Sequence, residues 1–171
     1  MELVLPNRKS HRLQNYDYSQ SGYYFVTICV KNREPLLGAI NVGRGLAPAG
    51  VSIQRSPIGI VVEQQLFELE SRYDFVKIDK YVIMPNHIHF ILVLADKAAG
   101  ASPRPTLTDI ICAYKSLTTR ICNQNDKVRG RVIFQTSFYE KVIRDERGYR
   151  EVWEYIDENP LKWREDELFN G

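Results

Sequence analysis

A chain of 171 residues, 44% hydrophobic and 26% charged, is long enough to bury one core and ordinary in composition for a globular domain. Its apolar run around Phe90–Ala95 is far too short to span a bilayer, and the start "MELVLPNRKSHR" lacks the long apolar segment of a secretory signal. Cys29, Cys112 and Cys122 have neither metal nor redox spacing, so free thiols and a cytoplasmic setting are expected.

The formal net charge of +2 does not by itself suggest a nucleic-acid binder, but it is unevenly spread. Residues 115–150 carry nine basic and four acidic side chains, whereas residues 151–171 carry two and seven. A locally basic surface can follow phosphates even when the whole chain is near neutral.

"GYYFVTICVKN" (residues 22–32) is rich in β-branched and aromatic residues and reads as a strand. Residues 38–56 are Gly-rich and read as a hairpin or loop insertion. A helix follows, with Ser56 as N-cap, Pro57 at its first position, and Ile58, Val62, Leu66, Leu69 and Tyr73 on one face. "FVKIDKYVIMPN" and "HIHFILVLA" read as two strands joined by a Pro-Asn turn, and residues 95–105 as a loop. The next helix opens on a capping box, Thr106 with Asp109, and carries a stripe of Leu107, Ile110, Ile111, Tyr114, Leu117 and Ile121. A strand region over residues 131–143 precedes a last helix that Pro160 stops. The order predicts one α+β domain over residues 1–171. Its antiparallel sheet is ferredoxin- or RNA-recognition-like, with helices on one face, one added C-terminal helix and a basic N-terminal arm over residues 1–21.

Two of the three histidines fall in "MPNHIHF". Side chains alternate along a strand, so His87 and His89 point the same way, about 7 Å apart, and can converge on one metal ion; two hydrogen-bonded histidines at a sheet edge fit the same spacing. Other His-x-His chemistries lack their partners. Position 91 is Ile91 rather than a third alternating histidine, and the sole remaining histidine is His11. On the last helix Tyr149, Val152, Trp153 and Ile156 form a stripe, and Tyr155 lies roughly 110° from its centre. Asn159 shares the face of Tyr155, so a phenol and an amide can lean together over the sheet; a surface tyrosine and a helix-ending Asn are the plainer alternative. Tyr114 competes as a reactive tyrosine, although its place on an apolar stripe points to packing.

"YVIMPNHIHFILVL", "YKSLTTRICNQ" and "FYEKVIRDERGYREVWEYIDENPLKW", with the opening "NRKSHRLQNYDYSQSGYYFVTI", resemble the single-tyrosine His-hydrophobic-His (HUH) transposases, in the branch of REP-associated tyrosine transposases. The resemblance runs from about Asn7 to Trp163 and is weakest over residues 38–56 and 95–105. It implies a single-stranded DNA endonuclease and transesterase acting at hairpins through a 5′-phosphotyrosine, as monomer or homodimer. It also implies His87 and His89 as ligands of Mg²⁺ or Mn²⁺ and Tyr155 as nucleophile. Asn159 stands where related transposases use Gln, one methylene longer, as third ligand. Transposition itself does not follow from the resemblance. The basic candidates for DNA contact are Arg8, Lys9, Arg12, Lys115, Arg120, Arg129 and Arg131. An inert hairpin DNA- or RNA-binding module is the alternative of another class. An RNA module would be expected to carry aromatic residues on the central strands, where this chain has its histidines.

Overall fold

Alternate residues of the first strand divide the protein into two layers. In the computed structural model, which describes residues 15–42, 51–96, 103–165 and 168, β1 (Gly22–Cys29) sends Tyr24, Val26 and Ile28 into one fully buried cluster and Phe25 into another. The same parity governs β5 (His87–Leu94): Ile88, Phe90, Leu92 and Leu94 join the first cluster and Ile91 the second. With β4 (Val76–Ile83) and β6 (Tyr139–Ile143) these strands form a sheet in the order β4-β5-β1-β6, antiparallel at every pairing. That is the ferredoxin-like order expected from the chain's strand and helix sequence.

α1 (Pro57–Arg72) and α2 (Leu107–Asn125) pack on the first cluster, and α3 (Glu146–Glu158) covers the second, on the opposite face. Ser56 caps α1 by accepting from the Gly59 N–H at 3.0 Å, and the reciprocal Thr106–Asp109 capping box opens α2. The α2 stripe drifts from the expected one in its last turns. Thr118 and Cys122 are buried there, while Leu117 and Ile121 are half-buried. Thr118 enters the core because its hydroxyl donates back to the Tyr114 carbonyl oxygen at 2.7 Å.

The insertion is a hairpin of β2 (Gly38–Val42) and β3 (Val51–Arg55), and its Ile40 and Ile53 pack against the second cluster. The region after α2 forms less strand than expected: a single bridge joins Phe134 to Val30 before β6 begins. Tyr16 and Tyr18, assigned above to the arm, pack on the first cluster beside Tyr24. Residues 1–14, with Arg8, Lys9, His11 and Arg12, lie outside the described residues. Among the described residues no helix is long and apolar enough to cross a membrane.

One close approach fixes how α1 meets the rest. A Cβ at Gly59 would stand 2.0 Å from the Leu37 carbonyl oxygen, a backbone atom that also accepts from Ser56 N–H. Gly59→Ala is therefore expected to destabilise the protein by about 2–3 kcal/mol, despite alanine's better helix propensity. Urea unfolding with an unchanged denaturant slope and a lowered midpoint is the expected result.

Candidate active site

The turn that delivers the histidines is held by backbone on every side. Val30 N–H donates to Asn86 O at 2.8 Å, Leu37 N–H to Pro85 O at 2.9 Å and Met84 N–H to His87 O at 2.9 Å. β5 is flanked by β4 and β1, so both histidines rise from an interior strand, opposite Cys29 and Thr27 of β1. Both are buried, and their ring centroids are 4.4 Å apart.

Each ring is oriented through Nδ1. Asn86 Nδ2 donates to the carbonyl oxygens of Leu168 (2.7 Å) and Arg33 (3.2 Å), groups that only accept. Its Oδ1 must then be the atom 2.7 Å from His87 Nδ1, which makes Nδ1 the protonated nitrogen and leaves a lone pair on Nε2. His89 Nδ1 lies 2.8 Å from the Thr27 hydroxyl. Burial, and secondarily the neighbouring His87, hold the His89 pKa well below the usual imidazole value, so the ring is neutral at neutral pH.

α3 brings a phenol to this pair. Val152 and Ile156 are buried against the sheet, and Tyr155, on the adjoining face and 45% exposed, sets its hydroxyl 3.3 Å from His89 Nε2. The Tyr155 ring meets Phe25 edge to face at 5.9 Å, and Phe25 stacks on His89 at 5.4 Å. Asn159, the residue that ends α3, is buried one turn beyond Tyr155. Trp163, in the short 3-10 turn that follows, tilts over His87 with centroids 5.8 Å apart. The histidines, Tyr155 and Asn159 thus share one sheet face with α3. Tyr114 is on the other face, fully buried, with its hydroxyl donating to the Val62 carbonyl oxygen at 3.0 Å. Burial pushes its pKa far above the usual phenol value, so it is a packing residue.

A bulge on β4 tethers the helix. Asp79 is the extra residue between Ile78 and Lys80, so two neighbours that would normally point to opposite faces both reach α3. Asp79 accepts from the Tyr149 hydroxyl at 2.6 Å, pushing that phenol's pKa up to about 12. Lys80 pairs with Asp157 at 2.5 Å and lies 3.7 Å over the Trp153 ring. This explains why Trp153, on the expected apolar stripe, is 38% exposed: it covers a lysine rather than the core.

The expected DNA contacts on α2 and beyond it have other surroundings. Lys115 donates to the Thr136 carbonyl oxygen at 2.8 Å, and burial lowers its pKa. Arg131 pairs with Asp126 at 2.7 Å and bonds Asn123. Arg120 and Arg129 are exposed. All four belong to α2 or the segment that follows it, whereas the histidines face α3. Lys141 of β6 shares the parity of Phe25, its partner across the ladder, and so stands on the histidine face; sequence reasoning passed over it because that parity becomes legible only with the register. Among the described residues no three His, Cys, Asp or Glu side chains converge.

No family model matches the chain. An uncharacterized protein of Haemophilus influenzae is 32% identical, over 95% of this chain and 93% of that one. The chain belongs to that protein's family. Beyond the Haemophilus influenzae relative, a REP-associated tyrosine transposase solved bound to a REP hairpin has a similar fold, with a TM-score of 0.57. The likeness covers 89% of this chain and 73% of that one at 19% identity. The sheet order and the three helices are thus a transposase-like arrangement.

Proposed function

We propose that the chain is a metal-dependent, single-stranded DNA endonuclease and transesterase that acts at hairpins, with Tyr155 as its nucleophile. The observation that carries this reading is the Tyr155 hydroxyl 3.3 Å from Nε2 of a buried, neutral histidine, with a second imidazole edge-on beside it.

The donor set fits a divalent cation, Mg²⁺ or Mn²⁺. His87 and His89 both engage Nδ1, which leaves Nε2 of each for a ligand role, His89 Nε2 lies beside Tyr155, and Asn159 brings a buried amide. When bound, the ion supplies charge neutralisation and in-line placement of the scissile phosphodiester. All three residues are neutral, so they leave the ion's charge for phosphate oxygens. A phenol with an ordinary pKa near 10 is a weak nucleophile at neutral pH and depends on such positioning. The Tyr155 oxygen forms a bond to phosphorus, and the bond to the 3′ oxygen breaks. The phenolic proton passes to water from this exposed position, and the departing oxygen takes up a proton as a 3′-hydroxyl. The 5′ phosphate stays on Tyr155. One phosphodiester replaces another, so rejoining needs no nucleotide triphosphate. Lys141 and the exposed arginines would follow the DNA backbone, and a cytoplasmic setting suits the free thiols.

The test is a denaturing gel of the protein with single-stranded hairpin oligonucleotides, with and without Mn²⁺. A chelator-sensitive covalent adduct is expected. Hairpin binding without any adduct would reduce the protein to an inert binding module. Asn86→Ala is expected to weaken Mn²⁺ binding by about 10–100-fold in calorimetric titration, because His87 loses the acceptor that fixes its tautomer.

A further inference from the structure

A second concavity lies on the same sheet face, at the other end of α3. It has a volume of about 300 Å³ and is lined by Tyr23, Ile143, Arg144, Asp145, Glu146 and Tyr149. Tyr23 and Tyr149 meet edge to face, with centroids 5.6 Å apart and planes at 81°, and so form a corner rather than a flat wall. Tyr23 is 43% exposed, which leaves much of its surface open to a ligand. Tyr149 is fixed by its bond to Asp79, and Ile143, paired with Tyr23 across the ladder, supplies an apolar side. Arg144 brings hydrogen-bond donors, and Asp145 and Glu146 bring acceptors.

We propose that this corner holds one unpaired nucleobase, a purine, of the strand being processed. The inference rests on the functional reading above and adds a base-binding subsite to it. Three observations support it. The volume is at the low end of small-ligand pockets, about 300–1,000 Å³, and suits a single base rather than a duplex. The lining joins an aromatic corner to a guanidinium and carboxylates. A purine matches that set, with a broad stacking face, an N7 acceptor for the arginine and ring or exocyclic N–H donors for the carboxylates. The third is position. Tyr149 stands six residues before Tyr155 on α3, about 9 Å along the axis at 1.5 Å per residue, and Tyr23 is two residues before Phe25, the ring that meets Tyr155. Tyr139 and Lys141 continue the same face along edge strand β6, so an aromatic and basic track leads from the phenol to the corner. A strand whose phosphodiester lies at Tyr155 has a nearby base in reach of it.

The test uses fluorescein-labelled nine-residue oligothymidylates whose central position is guanine, adenine, thymine or abasic, with binding read by anisotropy. The wild type is expected to favour a central purine over the abasic probe by about tenfold. Tyr23→Ala and Arg144→Ala are each expected to erase most of that preference, and Tyr23→Phe to keep it, with melting temperatures confirming that all variants fold. Equal binding of all four probes, or a purine preference that survives both alanine variants, would overturn the inference. The hairpin adduct assay separates the two proposals. A wild type that shows no base preference but forms the adduct defeats the subsite alone, and a wild type with purine preference but no adduct defeats the nuclease reading alone.

Discussion

Tyr155→Phe is expected to lower covalent adduct formation on hairpin oligonucleotides by about a thousandfold or more, while hairpin binding persists. The substitution removes one oxygen and keeps the ring that meets Phe25 and His89, so the α3 contacts survive. Adduct yield on denaturing gels and retention on native gels read the two effects separately. If the Phe variant still forms an adduct at the wild-type rate, another phenol is the nucleophile. Tyr114 would not be that residue, since its hydroxyl is sealed in the core. Tyr139, exposed and packed edge to face on Phe25, would be the next to replace.

The second large effect is expected at His87. His87→Ala should remove saturable Mn²⁺ binding and cut adduct formation by at least about a hundredfold, because a two-imidazole set then loses half its nitrogen donors. His87 is fully buried between Asn86 and Trp163, so alanine also opens a cavity. His87→Gln, closer in volume, separates packing from ligation: it should recover much of the stability and little of the metal affinity. Cleavage by either variant with the chelator sensitivity of the wild type would count against a ligand role. The stability change is read from thermal unfolding in chelator, where no metal contributes.

Much of this arrangement was legible in the sequence for simple reasons. Strand alternation puts His87 and His89 on one face whatever the fold, and the helical period sets Tyr155 apart from Val152 and Ile156. Ser56, Pro57, Thr106 and Asp109 act locally, so their caps could be read from spacing. What escaped depends on register between distant segments. Thr27 orients His89 only because β1 pairs with β5 in one alignment, and Asn86 orients His87 only because Arg33 and Leu168 claim its amide nitrogen. The β4 bulge breaks the alternation by which Asp79 and Lys80 would be assigned to opposite faces. Trp153 looked like core because an amphipathic count cannot tell a ring that covers apolar atoms from one that covers a lysine.

The three-residue turn Met84–Asn86 carries a consequence for how this protein can vary. β5 is pinned on both flanks, and its odd and even positions serve opposite layers. Deleting or inserting one residue there, with the flanking ladders realigned, would send His87 and His89 toward α1 and α2 and offer Ile88 and Phe90 to Tyr155. Length changes that slip β5 along both neighbours can preserve the chemistry only in even steps. Parity of the backbone, as much as the identity of any side chain, is what a descendant of this protein has to inherit.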